Sequence, residues 1–121
     1  MTTYQKWIGN KGEELAAAFL GEKGYILLGQ NFVTRYGELD LIMQDGSSIV
    51  FVEVKTRTST AFGTPEASVT PSKIEHLQDA GLLWLQSHPD APDDWRIDVL
   101  AIQMDHQEHI LDIHHFINVC I

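Results

Sequence analysis

Basic residues and cysteine are both scarce in this chain. Of its 121 residues, 8 are lysine or arginine and 17 are aspartate or glutamate, which gives a formal net charge of -9. A single cysteine, Cys120, allows neither an intrachain disulfide nor a thiolate metal cluster. No apolar run approaches the roughly 20 residues that span a bilayer, and the start of the chain lacks the apolar stretch of a signal peptide. We therefore expect a soluble, cytoplasmic protein.

The negative charge is unevenly distributed along the chain. Residues 1–57 contain six basic and seven acidic residues, a net of -1, whereas residues 58–121 contain two basic and ten acidic residues, a net of -8. Duplex binding depends on Lys and Arg neutralising phosphates, so the overall charge argues against strong nucleic-acid binding. The first half would become positive if its acids bound divalent cations. A nucleic-acid partner therefore stays open for that half, with weak binding at physiological salt.

The hydrophobic pattern predicts one α/β domain spanning residues 1–121. The predicted helices cover residues 11–23 and 71–87, and the predicted strands cover residues 25–34 with an interruption at 29–31, 38–44, 49–57, 95–102 and an edge strand at 109–116. A loop rich in Gly, Ser and Thr at 58–69 follows the third strand. The order αβββαββ is typical of a mixed β-sheet flanked by helices.

Two predicted strands contain ionisable residues where apolar residues are expected. Asp40 lies between two leucines, and Glu53 and Lys55 follow the apolar run at 49–52. Burying such groups costs several kcal/mol unless they are paired or hold a metal ion. The compensating partner, whether a cation, an ion pair or a substrate phosphate, therefore decides what the protein does.

The turn at 45–48 sets how these residues face one another. If Gln44 pairs with Ile49, alternation places Asp40 opposite Glu53, and Glu38 opposite Lys55. A two-residue loop at 45–46 shifts the pairing by two and still leaves all four polar residues on one face. In the preceding helix, Glu13 lies on the flank of the apolar face and can reach the sheet.

Asp40 and Glu53 on adjacent strands could bridge a hard cation, because Mg²⁺ prefers one or two carboxylates with water and substrate phosphate. The backbone carbonyl of Val54 could add a third ligand. Lys55 could orient an attacking water or stabilise the charge that develops on phosphorus, and Glu13 could orient the water or contact the hydrated metal. These residues would suffice for phosphodiester hydrolysis by a metal-activated water.

A structural interpretation stands beside this one. Glu38 and Lys55 could form a cross-strand ion pair flanked by solvated carboxylates, and Glu13 could be an N-terminal carboxylate favoured by the helix dipole. The apolar surroundings of Asp40 and Glu53 and the polar loop that follows favour a functional site instead.

Ordered motifs along the chain add to this interpretation. They are Gly12-Glu13-x-x-Ala16, Gly24-Tyr25, Asn31, Arg35-x-Gly37-Glu38-Leu39-Asp40-Leu41-Ile42, Phe51-Val52-Glu53-Val54-Lys55-Thr56-Arg57, Phe62-Gly63 and Arg96-Ile97-Asp98-Val99. In this order, from about residue 9 to residue 116, the chain closely resembles the YraN-like family of bacterial proteins. That family resembles archaeal Holliday-junction resolvases, within the restriction-endonuclease-like PD-(D/E)XK nucleases.

The resemblance implies a restriction-endonuclease-like fold and a Mg²⁺- or Mn²⁺-dependent DNA endonuclease, with branched or single-stranded DNA as substrate and a homodimer as the assembly. It implies that Asp40 is the metal-binding aspartate, that Glu53 and Lys55 are the (D/E)XK pair, and that Glu13 is the acid of the first helix. From the strand pairing, rather than from the resemblance, we expect Glu38 to be the partner of Lys55 or to support the metal ligands, and not to bind the metal itself. Arg35, Arg57 and Lys73 would contact phosphates.

Two other interpretations stay open. The acidic second half suggests a non-catalytic module that binds nucleic acid or protein on a nuclease-like fold, and the same residues could hydrolyse another phosphate ester. For Arg96 and Asp98 we expect a structural ion pair across strands. The spacing of the histidines near the C-terminus matches no strong metal-ligand motif, so we expect solvated side chains there rather than a transition-metal site.

Overall fold

The computed structural model describes residues 3–58 and 63–119, apart from the side chain of Gln5. Its elements are helix α1 (Thr3–Glu22), strands β1 (Ile26–Thr34), β2 (Gly37–Asp45) and β3 (Ser48–Arg57), a 3₁₀ turn (Pro65–Ser68), helix α2 (Pro71–Gln86), and strands β4 (Asp94–Met104) and β5 (Ile110–Phe116). This confirms the predicted order and a mixed α/β fold with a five-stranded sheet flanked by helices. No described helix is long and apolar enough to cross a membrane.

Helix α1 begins eight residues earlier than predicted. Gly9 and Gly12 both lie inside it, and each glycine in a helix interior costs about 1 kcal/mol relative to alanine. Gly12 is buried against Thr56 of β3, where an added Cβ would lie 2.0 Å from Thr56 Oγ1. This close packing outweighs the low local propensity, because tertiary contact rather than propensity supplies most of a helix's stability.

The strands follow the order β1-β2-β3-β4-β5, so β5 is an edge strand as predicted. All neighbours are antiparallel except β3 and β4, which are parallel and are connected through α2. In the hairpin between β2 and β3, Gln44 pairs with Ile49 and Asp45 pairs with Ser48 around Gly46. The register predicted from a turn at 45–48 is therefore confirmed.

Strand β1 is continuous where the sequence suggested an interruption. Its pairing with β2 shifts between Leu27 and Gly29, and Asn31 adopts a positive φ of 52°. A residue in this left-handed conformation is common at irregular strand positions and is favoured by Asn among the non-glycine residues. The glycine and asparagine therefore mark an irregular stretch of one strand.

The two helices cover opposite faces of the sheet. Ala16 and Leu20 of α1 pack in one cluster with Val50 and Val52 of β3, and Leu77, Ala80 and Trp84 of α2 pack in another with Ile49 and Phe51. Since adjacent residues of a strand point to opposite faces, the two core layers are separated by the sheet. The strands between them are apolar on both sides, as expected for a sheet that is covered twice.

A polar cluster interrupts the layer under α1. Asp98 is 0% exposed and accepts hydrogen bonds from Arg96 Nε (3.0 Å), His115 Nε2 (2.8 Å) and the backbone amide of Asn118 (2.9 Å). His115 Nδ1 lies 2.9 Å from Lys23 Nζ. The donors to this buried carboxylate thus come from its own strand, from β5 and from the segment after β5, and α1 is followed by the lysine that contacts His115.

The expected ion pair between Arg96 and Asp98 exists, but the prediction that it crosses strands was wrong. The two residues are on β4, two positions apart on one face, and Arg96 reaches across strands to Asp45 at 3.1 Å instead. His115 matters here in a way the sequence did not indicate, since its contact is with a residue 17 positions earlier.

Candidate functional site

Strands β2 and β3 separate at the end of their ladder. Their pairing ends at Leu41 and Val52, although β2 extends back to Gly37 and β3 continues to Arg57. Beyond this point β2 pairs with β1, and β3 pairs with β4. The sheet therefore forks, and the backbone groups inside the fork need other partners.

Asp40 supplies one of these partners. Its Oδ2 accepts a hydrogen bond from the backbone amide of Val54 at 2.9 Å. Leu39 packs in the cluster under α2, whereas Leu41 packs in the cluster under α1, so the regular alternation of side chains is broken at this residue. The carboxylate therefore lies between the two strands rather than simply above one face, as the alternation argument assumed.

Glu53 lies on the α2 side of the fork, since it follows Phe51 by two positions. It is 4% exposed, and it is one of two buried charged residues among those that the structure describes. Its Oε1 lies 3.8 Å from Lys55 Nζ, and its Oε2 lies 3.7 Å from Lys73 Nζ. Oε2 has no hydrogen-bond partner within the described part of the chain. The two ammonium groups near this buried carboxylate both lie beyond hydrogen-bond distance.

The two carboxylates affect each other. Burial, and then the neighbouring charge of Glu53, raise the pKa of Asp40 from 3.8 to about 7, while the Val54 amide acts in the opposite direction. Two carboxylates that share a site resist simultaneous ionisation unless a cation joins them. Asp40 is therefore a group that changes charge near neutral pH when no cation is present.

Glu13 reaches the fork from the α1 side. The close contact between Gly12 and Thr56 brings this turn of α1 against β3. The Asn31 side-chain amide donates a hydrogen bond to Glu13 Oε1 at 2.8 Å. Burial raises the pKa of Glu13, and the charges of Asp40 and Glu38 add to that effect, while the Asn31 hydrogen bond lowers it. As expected from the helix geometry, Glu13 is half-buried and Glu14 is exposed.

Glu38 is exposed on β2 near the same end of the sheet. Within the described residues it makes no ion pair with Lys55, which pairs with Glu53 instead. The cross-strand pair of Glu38 and Lys55, which was the structural alternative, is therefore absent. Glu38 acts on the site through its charge, because it helps to raise the pKa of both Glu13 and Asp40.

Lys73 is held at the site by the start of α2. Thr70 is the N-cap and accepts a hydrogen bond from the Lys73 backbone amide at 3.2 Å, which confirms the predicted start of this helix. Farther along, Gly81 packs against the Phe51 ring so closely that an added Cβ would lie 2.6 Å from it. This contact fixes the distance between α2 and the strand that carries Glu53.

The two arginines predicted as phosphate contacts lie outside the buried group. Arg35 is exposed in the turn between β1 and β2, where its guanidinium stacks on the Tyr36 ring at 4.9 Å from the ring centroid. Arg57 is half-buried at the end of β3 and donates to the Thr56 carbonyl at 3.2 Å. Phe62, part of the matched sequence pattern, lies outside the described residues.

The histidines near the C-terminus form no metal site in the described residues. His109 pairs with Asp105 at 3.0 Å, and His114 packs on Phe116 at 4.7 Å between ring centroids. No group of three or more His, Cys, Asp or Glu side chains in the described ranges is arranged to hold a metal ion. The fork itself offers two such carboxylates.

A divalent cation nevertheless fits the fork. Among the described residues the Oε2 atom of Glu53 is buried without a hydrogen-bond partner, and the pKa of the neighbouring Asp40 carboxyl is raised first by burial and then by the charge of Glu53. Mg²⁺ is usually held by one or two carboxylates, with waters and substrate oxygens completing its shell. Two neighbouring carboxylates, one of which has a buried oxygen without a hydrogen-bond partner in the described residues, match this requirement.

The sequence predicted that Asp40, Glu53 and Lys55 lie close together, as they do in the structure, but it did not predict two contacts of the neighbouring side chains. Asn31 on β1 donates a hydrogen bond to Glu13; the sequence marked this asparagine as part of the family pattern and as an interruption of a strand, but it did not indicate this contact. Lys73 was expected to bind phosphate, and nothing in the sequence indicated its pairing with Glu53, because the two residues belong to different elements that meet only through the packing of α2 on the sheet.

Comparison with known proteins places the chain in a family. The model of "Uncharacterised protein family UPF0102" matches residues 12–102. A UPF0102 protein of Syntrophomonas wolfei is 50% identical over 111 residues, covering 92% of this chain and 95% of the relative. One from Geobacter metallireducens is 42% identical, covering 91% and 93%, and one from Nocardia farcinica is 43% identical, covering 80% and 76%. All of the residues of the fork lie within the matched range.

Proposed function

The chain belongs to the uncharacterised protein family UPF0102, and we propose that it is a divalent-cation-dependent DNA endonuclease with a restriction-endonuclease-like site. The observation that carries this proposal is the meeting of Asp40 and Glu53 at the fork of β2 and β3, with Lys55 3.8 Å from Glu53. Two carboxylates and a half-buried lysine that meet at one place in the sheet are groups suited to metal-assisted phosphodiester hydrolysis.

Asp40, Glu53 and the backbone carbonyl of Val54 would hold Mg²⁺ or Mn²⁺. When bound, such a cation lowers the pKa of a water molecule and neutralises charge on the phosphate. Asp40 would hold the cation as a carboxylate, because ligands must be deprotonated. Its hydrogen bond to Val54 keeps the carboxylate in place in either state.

Lys55 acts on the reacting phosphate. Its side chain is 23% exposed, so the ammonium can reach both Glu53 and solvent. A fixed cation beside the phosphate orients the attacking water and stabilises the negative charge that develops on the phosphate oxygens. Glu13, held by Asn31 and facing the fork from the other side, orients the water.

Branched or single-stranded DNA is the proposed substrate, with Arg35 and Arg57 as phosphate contacts. A net charge of -9 cannot give tight binding to a long duplex at physiological salt. A short contact at a junction or an exposed strand needs fewer phosphates and suits the small number of basic residues.

The test is cleavage of flap, junction and linear DNA by the purified protein in Mg²⁺, in Mn²⁺ and in EDTA. We expect cleavage only with a cation, and its loss in Glu53→Gln and Lys55→Met. The matched control is Lys6→Met, which removes an exposed lysine that makes no ion pair in the described part of the chain. Cleavage that persists in Lys55→Met would indicate a contaminating nuclease and contradict the proposal.

The alternative is a non-catalytic binding module on the same fold. It is favoured by the pairing of Glu53 with Lys55 and Lys73, since two ammonium groups already compensate this carboxylate. Titration calorimetry with Mn²⁺ separates the two functions. Absence of cation binding, together with a partner still bound by Asp40→Asn, would favour the module.

A further inference from the structure

Two lysines from different elements flank one buried carboxylate. Lys55 follows Glu53 on β3, whereas Lys73 comes from the first turn of α2. Their ammonium groups lie 3.8 Å and 3.7 Å from the two oxygens of Glu53, and Oε2 has no hydrogen-bond partner within the described residues. Lys73 therefore offsets the negative charge of Glu53 but does not donate a hydrogen bond to its Oε2 atom.

Lys73 occupies a position that local structure disfavours. It is the third residue after the Thr70 cap, and the N-terminal turn of a helix carries partial positive charge that repels a lysine. The contact of Gly81 with Phe51 nevertheless fixes this turn beside β3. Glu53 is the anion that compensates the ammonium there.

From this geometry we infer that Lys73 is a built-in counter-ion of Glu53. In the cation-free protein the Lys73 ammonium pairs with the Glu53 carboxylate, and a divalent cation displaces it on binding. The inference rests on the proposed cation site. Both charges compete for the same Oε2 atom, so an ammonium held near it must weaken the binding of a divalent cation. The coupling is reciprocal, because a bound cation weakens the hold of Glu53 on Lys73 by the same factor.

Displacement gives Lys73 a second position. Its side chain is 36% exposed, so the flexible stem can move the ammonium from Glu53 into solvent without unfolding α2. A lysine released beside a cation-loaded site is placed for a substrate phosphate. Lys73 thus makes binding of DNA depend on the cation, and it is a positioning residue in the cation-free protein.

The test is titration calorimetry with MnCl₂ on the full chain and its Lys73→Met, Lys73→Gln and Lys73→Arg variants. Without the competing ammonium, Lys73→Met and Lys73→Gln should bind Mn²⁺ about tenfold more tightly. Lys73→Arg keeps the charge and should stay near the unaltered protein, as should the Lys6→Met control. In EDTA the Lys73→Met protein should unfold at a lower temperature, and Mn²⁺ should stabilise it more than the unaltered protein.

A second measurement tests the release of Lys73. Replacement by methionine should leave affinity for a DNA junction unchanged in EDTA, and should weaken it about threefold or more in Ca²⁺. Equal Mn²⁺ affinity in the unaltered and Lys73→Met proteins would overturn the inference and leave the proposed cation site standing. Absence of Mn²⁺ binding in every variant would overturn both.

Discussion

The carboxylate of Asp40 accepts the backbone amide hydrogen of Val54 at 2.9 Å, across strands that no longer pair at this point. A side chain here does what a backbone carbonyl does along the rest of the hairpin. The Asp40 side chain spans the gap between the two strands, and Leu39 and Leu41 on either side of it pack on opposite faces of the sheet. The group proposed to hold a cation is thus also the group that shapes its site.

The first prediction concerns pH and Asp40. Because its pKa is raised from 3.8 to about 7 in the folded protein, the protonated carboxyl favours folding. This stabilising contribution is complete below about pH 4 and is lost as the pH rises through about 7. Asp40→Asn stays neutral and its amide oxygen can still accept from Val54. In EDTA, urea unfolding should show the variant gaining stability over the unaltered protein between pH 5 and pH 8.

The control for this measurement is Asp93→Asn, which changes an exposed aspartate before β4. Its stability should follow that of the unaltered protein at each pH. If the Asp40→Asn profile also ran parallel to that of the unaltered protein, the carboxylate would not be destabilised at neutral pH. The proposed conflict between Asp40 and Glu53 would then be wrong.

The second prediction uses two glycines of α1. Gly12→Ala should destabilise the protein by about 1–3 kcal/mol, the usual cost of overpacking, because the added Cβ would lie 2.0 Å from Thr56 Oγ1. Gly9→Ala is the matched control, since no atom lies within 4 Å of its added Cβ. It should stabilise the helix by about 0.5–1 kcal/mol. Urea unfolding of the two variants measures both effects, and equal shifts would exclude the close contact.

The contrast between these glycines shows what sequence can predict. The register of β2 and β3 follows from a turn at 45–48 and from alternation, so the neighbourhood of Asp40, Glu53 and Lys55 was predictable. Gly9 and Gly12 look alike in sequence, and only the contact with Thr56 distinguishes them. The early start of α1 depends on that contact and could not be derived from propensity.

The break in side-chain alternation at Asp40 is the second feature that the sequence could not predict. A period of two predicts that Leu39 and Leu41 share a face, and in the structure they do not. The cause is non-local, since β2 leaves β3 to follow β1 and its irregular stretch at Asn31. For the same reason the pairing of Lys73 with Glu53 needed the packing of α2 as well as the sequence.

The third prediction concerns the hydrogen bond that Asn31 donates to Glu13. Asn31→Gly removes the amide donor while accommodating the positive φ of 52° without strain. Because this hydrogen bond lowers the pKa of Glu13 against the effect of burial, its loss should raise that pKa further. Carboxyl-selective NMR titration of Glu13 measures the change, and an unchanged titration midpoint would exclude the contact. If Glu13 orients the attacking water, cleavage should fall by about tenfold or more.

The last prediction concerns the polar cluster at Asp98, away from the fork. Arg96→Met removes the guanidinium and leaves a carboxylate that is 0% exposed with fewer donors, so stability should fall by about 3–5 kcal/mol. Adding Asp98→Asn to that variant should restore part of the loss, because a neutral amide no longer needs the cation. Arg35→Met, at an exposed turn, is the matched control and should change stability by less than about 0.5 kcal/mol. Urea unfolding decides the matter: if Arg96→Met lost no more stability than Arg35→Met, the buried carboxylate would be held by His115 and the Asn118 amide alone.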